Sequence, residues 1–171
     1  MSMPSSPSSA SRSERPRRKA RLALAFLAAL LLGAAATRAG DIAVVVNPSV
    51  KLDELSFADL RKILLGDRQF WSPGQQVTLI VRAPVAAERT AMLQKVYQMS
   101  EEQFRRYWVA KVFRAEATSG PKVVISNEKS VELVGVMKGA IALVNAADVP
   151  EGLKVLKIDG VKPGEKGYPL K

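Results

Sequence analysis

The chain contains no cysteine and no histidine. The first absence rules out disulfides and thiolate chemistry. The second removes the commonest general base and the commonest metal ligand at once. Zinc sites built from these two residue types are therefore excluded. Aromatic residues make up only 6% of the 171 positions. No basic stripe carries interleaved aromatics, which argues against a nucleic-acid partner. There is no Gly-x-Ser-x-Gly elbow and no phosphate-loop motif, so an enzyme is the weakest functional class. An exported domain of about 130 residues buries an adequate core without disulfides.

What is present begins with an unusual first forty residues. Ser, Pro and Ala dominate Met1 to Ser11, and Arg15-Pro16-Arg17-Arg18-Lys19-Ala20-Arg21 is strongly basic. An apolar run, Leu22 to Ala36, follows, and Thr37-Arg38-Ala39 is a small-x-small site. A basic region, an apolar region and a small-residue exit predict a secretory signal peptide over residues 1–39. The apolar run is shorter than the about 20 residues a spanning helix needs, so cleavage is expected rather than anchoring. Arg17-Arg18 lacks the usual flanks of a twin-arginine signal, which points to general secretion and a periplasmic location. The formal net charge is +10, but the leader's seven Lys/Arg and one Glu contribute +6 of it. The remaining +4, with mixed signs, describes an ordinary soluble surface.

Residues 40–171 read as a single α/β domain. Ile42 to Val46 (IAVVV) is a β-branched run of the kind buried on both faces of a helix-covered sheet. Ser56 caps a helix whose Phe57, Leu60, Ile63 and Leu64 share one face, and Gly66 stops it. Phe70 to Gly74 is expected to be a loop with a Pro-Gly turn. Val77 to Val81 is a second strand, and a helix that starts after Pro84 and runs to about Gln98 follows it. Ser100 opens a third helix with acids in its first turn, and Phe104, Tyr107, Trp108 and Val112 fall on one face. Val123 to Ile125, Ala140 to Val144 and Leu153 to Ile158 are further strands, and Ser126 caps a fourth helix. Alternating strands and helices predict a mainly parallel sheet of about five strands flanked by helices.

The segments LSFADLRKILLGDRQFWSPG, VRAPVAAERTAMLQKVY, FRRYWVAKVF, MKGAIALV and KIDG…GYPLK resemble periplasmic phosphate-binding proteins of ABC transporters. The resemblance runs from about Asp41 to the C-terminus. Leu60-Arg61-Lys62-Ile63, Gly66, Trp71 and Gly74 match one segment of that family. Arg82 matches an arginine that follows the next strand, and Gly139-Ala140-Ile141 match a strand opening. The resemblance implies one lobe of a periplasmic-binding-protein-like fold, because family members are two lobes closing on phosphate and the matches belong to the second. Two departures bear on the site. The family's Ser-Gly-Thr turn corresponds here to Ala86-Ala87-Glu88, so both hydroxyls and the glycine are replaced and a carboxylate is added. The Gly-Tyr pair that follows the matched strand opening is Ala142-Leu143.

The candidate ligand site is therefore the corner where the second strand enters the second helix. Arg82 and Arg89 supply charge, and the N–H groups of Ala87 and Glu88, with Ser126 at the fourth helix, supply donors. Against this, Glu88 can complement the helix dipole itself and pair with Arg89 or Arg82, and a serine before a helix is commonly only its cap. Trp71 has two readings, an exposed binding residue or a plug at the domain edge. The aromatic set Phe104, Tyr107 and Trp108 is read as core. No cofactor or metal is expected. Two functions follow: a module binding phosphate or another small anion weakly, or an envelope protein-interaction or self-association module that has lost ligand binding.

Overall fold

The computed structural model describes residues 40–171; the leader expectation lies outside them. The strands are β1 (Ile42–Val46), β2 (Glu54–Leu55), β3 (Phe70–Ser72), β4 (Gln75–Gln76), β5 (Thr78–Arg82), β6 (Lys122–Val124), β7 (Ala140–Asn145), β8 (Lys154–Val155) and β9 (Lys157–Ile158). The helices are α1 (Phe57–Leu64), α2 (Ala87–Ala91), α3 (Glu101–Phe113) and α4 (Asn127–Val136). The main sheet has the order β6-β5-β7-β1-β8. β5 runs parallel to β6 and β7, while β1 is antiparallel to β7 and β8. Four strands thus share one direction and β1 alone is reversed.

β1 explains its own sequence. Ile42, Val44 and Val46 point into one core, and Ala43 and Val45 into the other. With both faces covered, every position must be apolar, and the usual in–out alternation disappears. The larger core packs α1, α3 and the coil Met92–Tyr97 that continues α2 on one face, through Leu60, Ile63, Leu64, Met92, Val96, Tyr97, Phe104 and Trp108. The smaller core packs α4 on the other face through Val134. Each fully buried side chain of this size contributes about 1.5–3 kcal/mol. Tyr97, in the coil that continues α2, meets the aromatics of α3 edge to face, with Tyr97–Phe104 centroids 4.8 Å apart and Phe104–Trp108 centroids 6.4 Å apart.

Local chemistry sets the helix starts. Ser56 accepts from the Asp59 N–H at 3.0 Å. Ser100 and Gln103 form a reciprocal capping box. Gly66 ends the first helical segment at φ +72°, and a Cβ there would stand 2.7 Å from the Trp108 ring.

Three elements differ from expectation. The Pro-Gly stretch forms a hairpin of β3 and β4, and Trp71 is buried, donating its indole N–H to the Gly139 carbonyl at 2.9 Å. Trp71 is therefore a plug, holding the hairpin to the start of β7. Helix two is α-helical only for Ala87–Ala91 and then widens into a π-type coil, Met92–Tyr97. The wider turn carries Met92, Leu93, Val96 and Tyr97 inward together, a four- to five-residue repeat that a π-coil supports. The last expected strand divides. Lys154–Val155 pairs with β1, whereas Lys157–Ile158 pairs in parallel with β2. Val112, placed by periodicity with the core aromatics, is 39% exposed, and its neighbour Lys111 is the buried residue of that turn.

Candidate anion-binding corner

β5 and β6 run side by side and end together, with Arg82 opposite Val124. The chain leaving β5 turns into α2 on one face of the sheet. The chain leaving β6 turns into α4 on the other. Two helix starts therefore flank the carboxyl edge of the sheet, the place where open α/β sheets hold ligands.

The turn into α2 is strained. Val85 has φ +68° and is fully exposed. A β-branched residue in the left-handed region costs roughly 1–2 kcal/mol. The N-cap Ala86 supplies no side-chain hydrogen bond, and Ala87 is exposed at the first helical position.

Glu88 turns inward and is 6% exposed. One carboxylate oxygen lies 3.6 Å from Arg82 Nε. The other accepts from Asn127 Nδ2 at 2.7 Å. The same amide nitrogen donates to Asp148, also at 2.7 Å. The carboxylate thus occupies the space between the two helix starts. Arg82 Nε and Nη1 and Asn127 Oδ1 are buried without hydrogen-bond partners.

Arg89 is placed elsewhere. It is 3% exposed and grips Glu101 through two bonds of 3.0 and 2.7 Å. Its guanidinium lies 4.1 Å from the Phe104 ring centroid, and its Nη1 donates to the Arg82 carbonyl at 3.4 Å. The geometry makes it a clamp between α2 and α3, with its charge matched internally.

Ser126 is a helix cap: its Oγ accepts from the Lys129 N–H at 3.1 Å. Beside it, Glu128 is held below the usual carboxylate range by its own backbone N–H, by the Ser126 hydroxyl and by Arg82. The corner therefore brings together Arg82, Glu88, Ser126 and Asn127, with Glu128 and Asp148 nearby, and leaves Arg89 on its far side. Asp148 and the Arg89–Glu101 clamp were not visible in the sequence. No spacing rule links positions 88, 127 and 148, which meet only because β5, β6 and β7 are neighbours.

No protein-family model matches the sequence, and curated proteins give no match. Solved structures do. A protein from Clostridium perfringens, described as a phosphate ABC transporter substrate-binding protein with bound phosphate, superposes with a TM-score of 0.59 at 17% identity, over 72% of this chain and 47% of that one. PstS from Borrelia burgdorferi gives 0.60 at 16% identity, over 77% and 54%. An ABC-type phosphate transport receptor from Vibrio cholerae gives 0.57 at 18% identity, over 72% and 48%. At these identities the likeness is one of fold. The match spans about half the length of those proteins, consistent with one lobe of a periplasmic-binding-protein fold.

Proposed function

We propose that the protein is an exported, non-enzymatic binding-protein lobe that acts through protein contacts, its anion corner being filled by its own Glu88. The observation that carries this reading is the buried Glu88 carboxylate between Arg82 and Asn127. A phosphate entering there would displace an internal anion from a single cation and would meet Glu128 and Asp148 at the rim. Like unit charges 4 Å apart repel by about 4 kcal/mol at an effective dielectric of about 20. The two hydroxyls that would offset this are replaced by Ala86 and Glu88. Contact-making surface is present instead: Val85 is 100% exposed, Ile125 85% and Phe113 91%. Val85 and Ile125 follow the neighbouring ends of β5 and β6, and apolar groups exposed together there would offer a partner surface. The basic, apolar and small-residue order of residues 1–39 supports export to the periplasm, where an envelope protein or a second copy would be met. No helix among the described residues is long and apolar enough to cross a membrane.

One observation favours weak phosphate capture instead. Arg82 Nε and Nη1 have no hydrogen-bond acceptor, and a bound anion would provide one. Melting the purified protein at rising phosphate separates the two readings. A ligand at 100 times its Kd adds about 2.7 kcal/mol of stability. The self-filled corner predicts an unchanged Tm at 10 mM phosphate relative to chloride of equal ionic strength. A saturable rise that Arg82→Gln abolishes would overturn it and establish capture.

A further inference from the structure

The opposite end of the sheet holds a cavity of about 160 Å³. It opens beside the first residues of β5 and β6, where the end of α1, the β3–β4 hairpin, α3 and residues 117–121 meet. Its lining is mixed, and the apolar share comes from Ile63, Leu79 and the Trp108 ring, all part of the larger core. Thr118 and Ser119 add hydroxyls at the rim. The charged residues lining it are Arg68 and Lys122, both cations. The Arg68 guanidinium is steadied by the carbonyls of Phe70 at 3.3 Å and Trp71 at 3.4 Å; among the described residues it forms no ion pair, and Asp59 feels its charge only at longer range. Two amides brace the mouth. Gln69 Nε2 donates to the Glu116 carbonyl at 2.6 Å, and Gln76 Nε2 to the Thr118 hydroxyl at 3.3 Å.

We propose that this cavity binds a small monocarboxylate with a short apolar tail. The carboxylate pairs with Arg68 and Lys122, and the tail lies on Leu79 and Trp108. Charge selects an anion, since no acid lines the cavity. The apolar share of the lining favours a tail, since a fully hydrated inorganic anion would leave that surface wet. A cavity of about 150 Å³ holds one benzene, so this volume limits the tail to about six carbons. The cavity lies at the amino ends of β5 and β6, away from Arg82, so this inference stands or falls independently of the Glu88 corner.

Calorimetric titration of the purified protein with acetate, butyrate, hexanoate, hexanol and inorganic phosphate tests it. Affinity should rise about fourfold per added methylene, the equivalent of about 0.8 kcal/mol, until the cavity is full. Hexanoate should bind at least tenfold tighter than hexanol. The Arg68→Gln/Lys122→Gln double variant should bind the two equally. Ser119→Trp, a change at an exposed position of the mouth, should remove hexanoate binding with the Tm unchanged. Hexanoate binding no tighter than acetate, phosphate binding as tightly as hexanoate, or an unchanged carboxylate preference in the double variant would each overturn the proposal.

Discussion

At the carboxyl ends of β5 and β6, Arg82 faces Glu88 and lies within electrostatic reach of Glu128, and Asp148 shares the Asn127 amide with Glu88. At the amino ends of the same strands, Arg68 and Lys122 line a cavity with no acid among its lining residues. The first end is where the fold places a ligand, and the second is where the charge favours an anion. Position in a fold selects where a site can be built. The side chains that complete it decide whether an anion is welcome. A helix start supplies only a few partial charges, and one carboxylate at hydrogen-bond range cancels them.

Several substitutions would break or sharpen this contrast. The largest effect is expected from Arg89→Ala, which removes a buried guanidinium from Glu101 and from the Phe104 face. Breaking such a pair costs about 3 kcal/mol, read as a lower urea midpoint at constant m. A loss below about 1 kcal/mol would show that Arg89 is not the clamp described. Glu88→Ala comes next. It leaves the largely buried Arg82 without its counter-charge, at a cost of about 2 kcal/mol. Phosphate should return part of that loss in Glu88→Ala while leaving the unmodified protein unaffected. A variant equally blind to phosphate would mean that Arg82 is no anion site even when vacated.

The two helix starts at the corner can be set against each other. Ser126→Ala should destabilise by about 1 kcal/mol through its lost cap. Val85→Asn should stabilise by about 1 kcal/mol, since asparagine tolerates the left-handed region better than valine. Thermal melts of both variants test the comparison, and a destabilised Val85→Asn would reveal a contact made by the valine. The smallest effect concerns Glu128. Its folded pKa is lowered, so its contribution to stability is complete above the ordinary glutamate value and is lost as pH falls through the folded value. NMR titration of its carboxyl should show the lowered value. Ser126→Ala should move it back towards the ordinary one, and no movement would exclude the hydroxyl as a cause.

Much of the fold was legible because its causes are local. The uninterrupted IAVVV run signals a strand with both faces covered, and Ser56, Ser100 and Ser126 announce three helix starts through the caps they form. Arg82 ends its strand and Ser126 caps its helix at one edge of the sheet. Less legible was everything that depends on partners far along the chain. Trp71 is a plug because Gly139, 68 positions away, offers a carbonyl. A Cβ on Gly139 would stand 2.1 Å from the Gln76 oxygen, so the glycine permits that approach. Glu101 looked like a first-turn acid of α3, and its second task of holding Arg89 needed the packing angle between α2 and α3. The cavity was invisible, since its lining comes from five separate stretches, none with a motif.

The sequence by itself determined the class of the fold, the two-sided burial of β1, the helix starts and the removal of hydroxyls from the turn into α2. Those are properties of hydrophobic period and short-range hydrogen bonding, which act within a few residues. Only the tertiary structure decided which way Glu88 and Arg89 point. Both lie on one short helical turn with similar local prospects. Sheet order brings Asn127 and Arg82 to the first, and helix packing brings Glu101 and Phe104 to the second. A buried charge settles wherever distant partners can satisfy it.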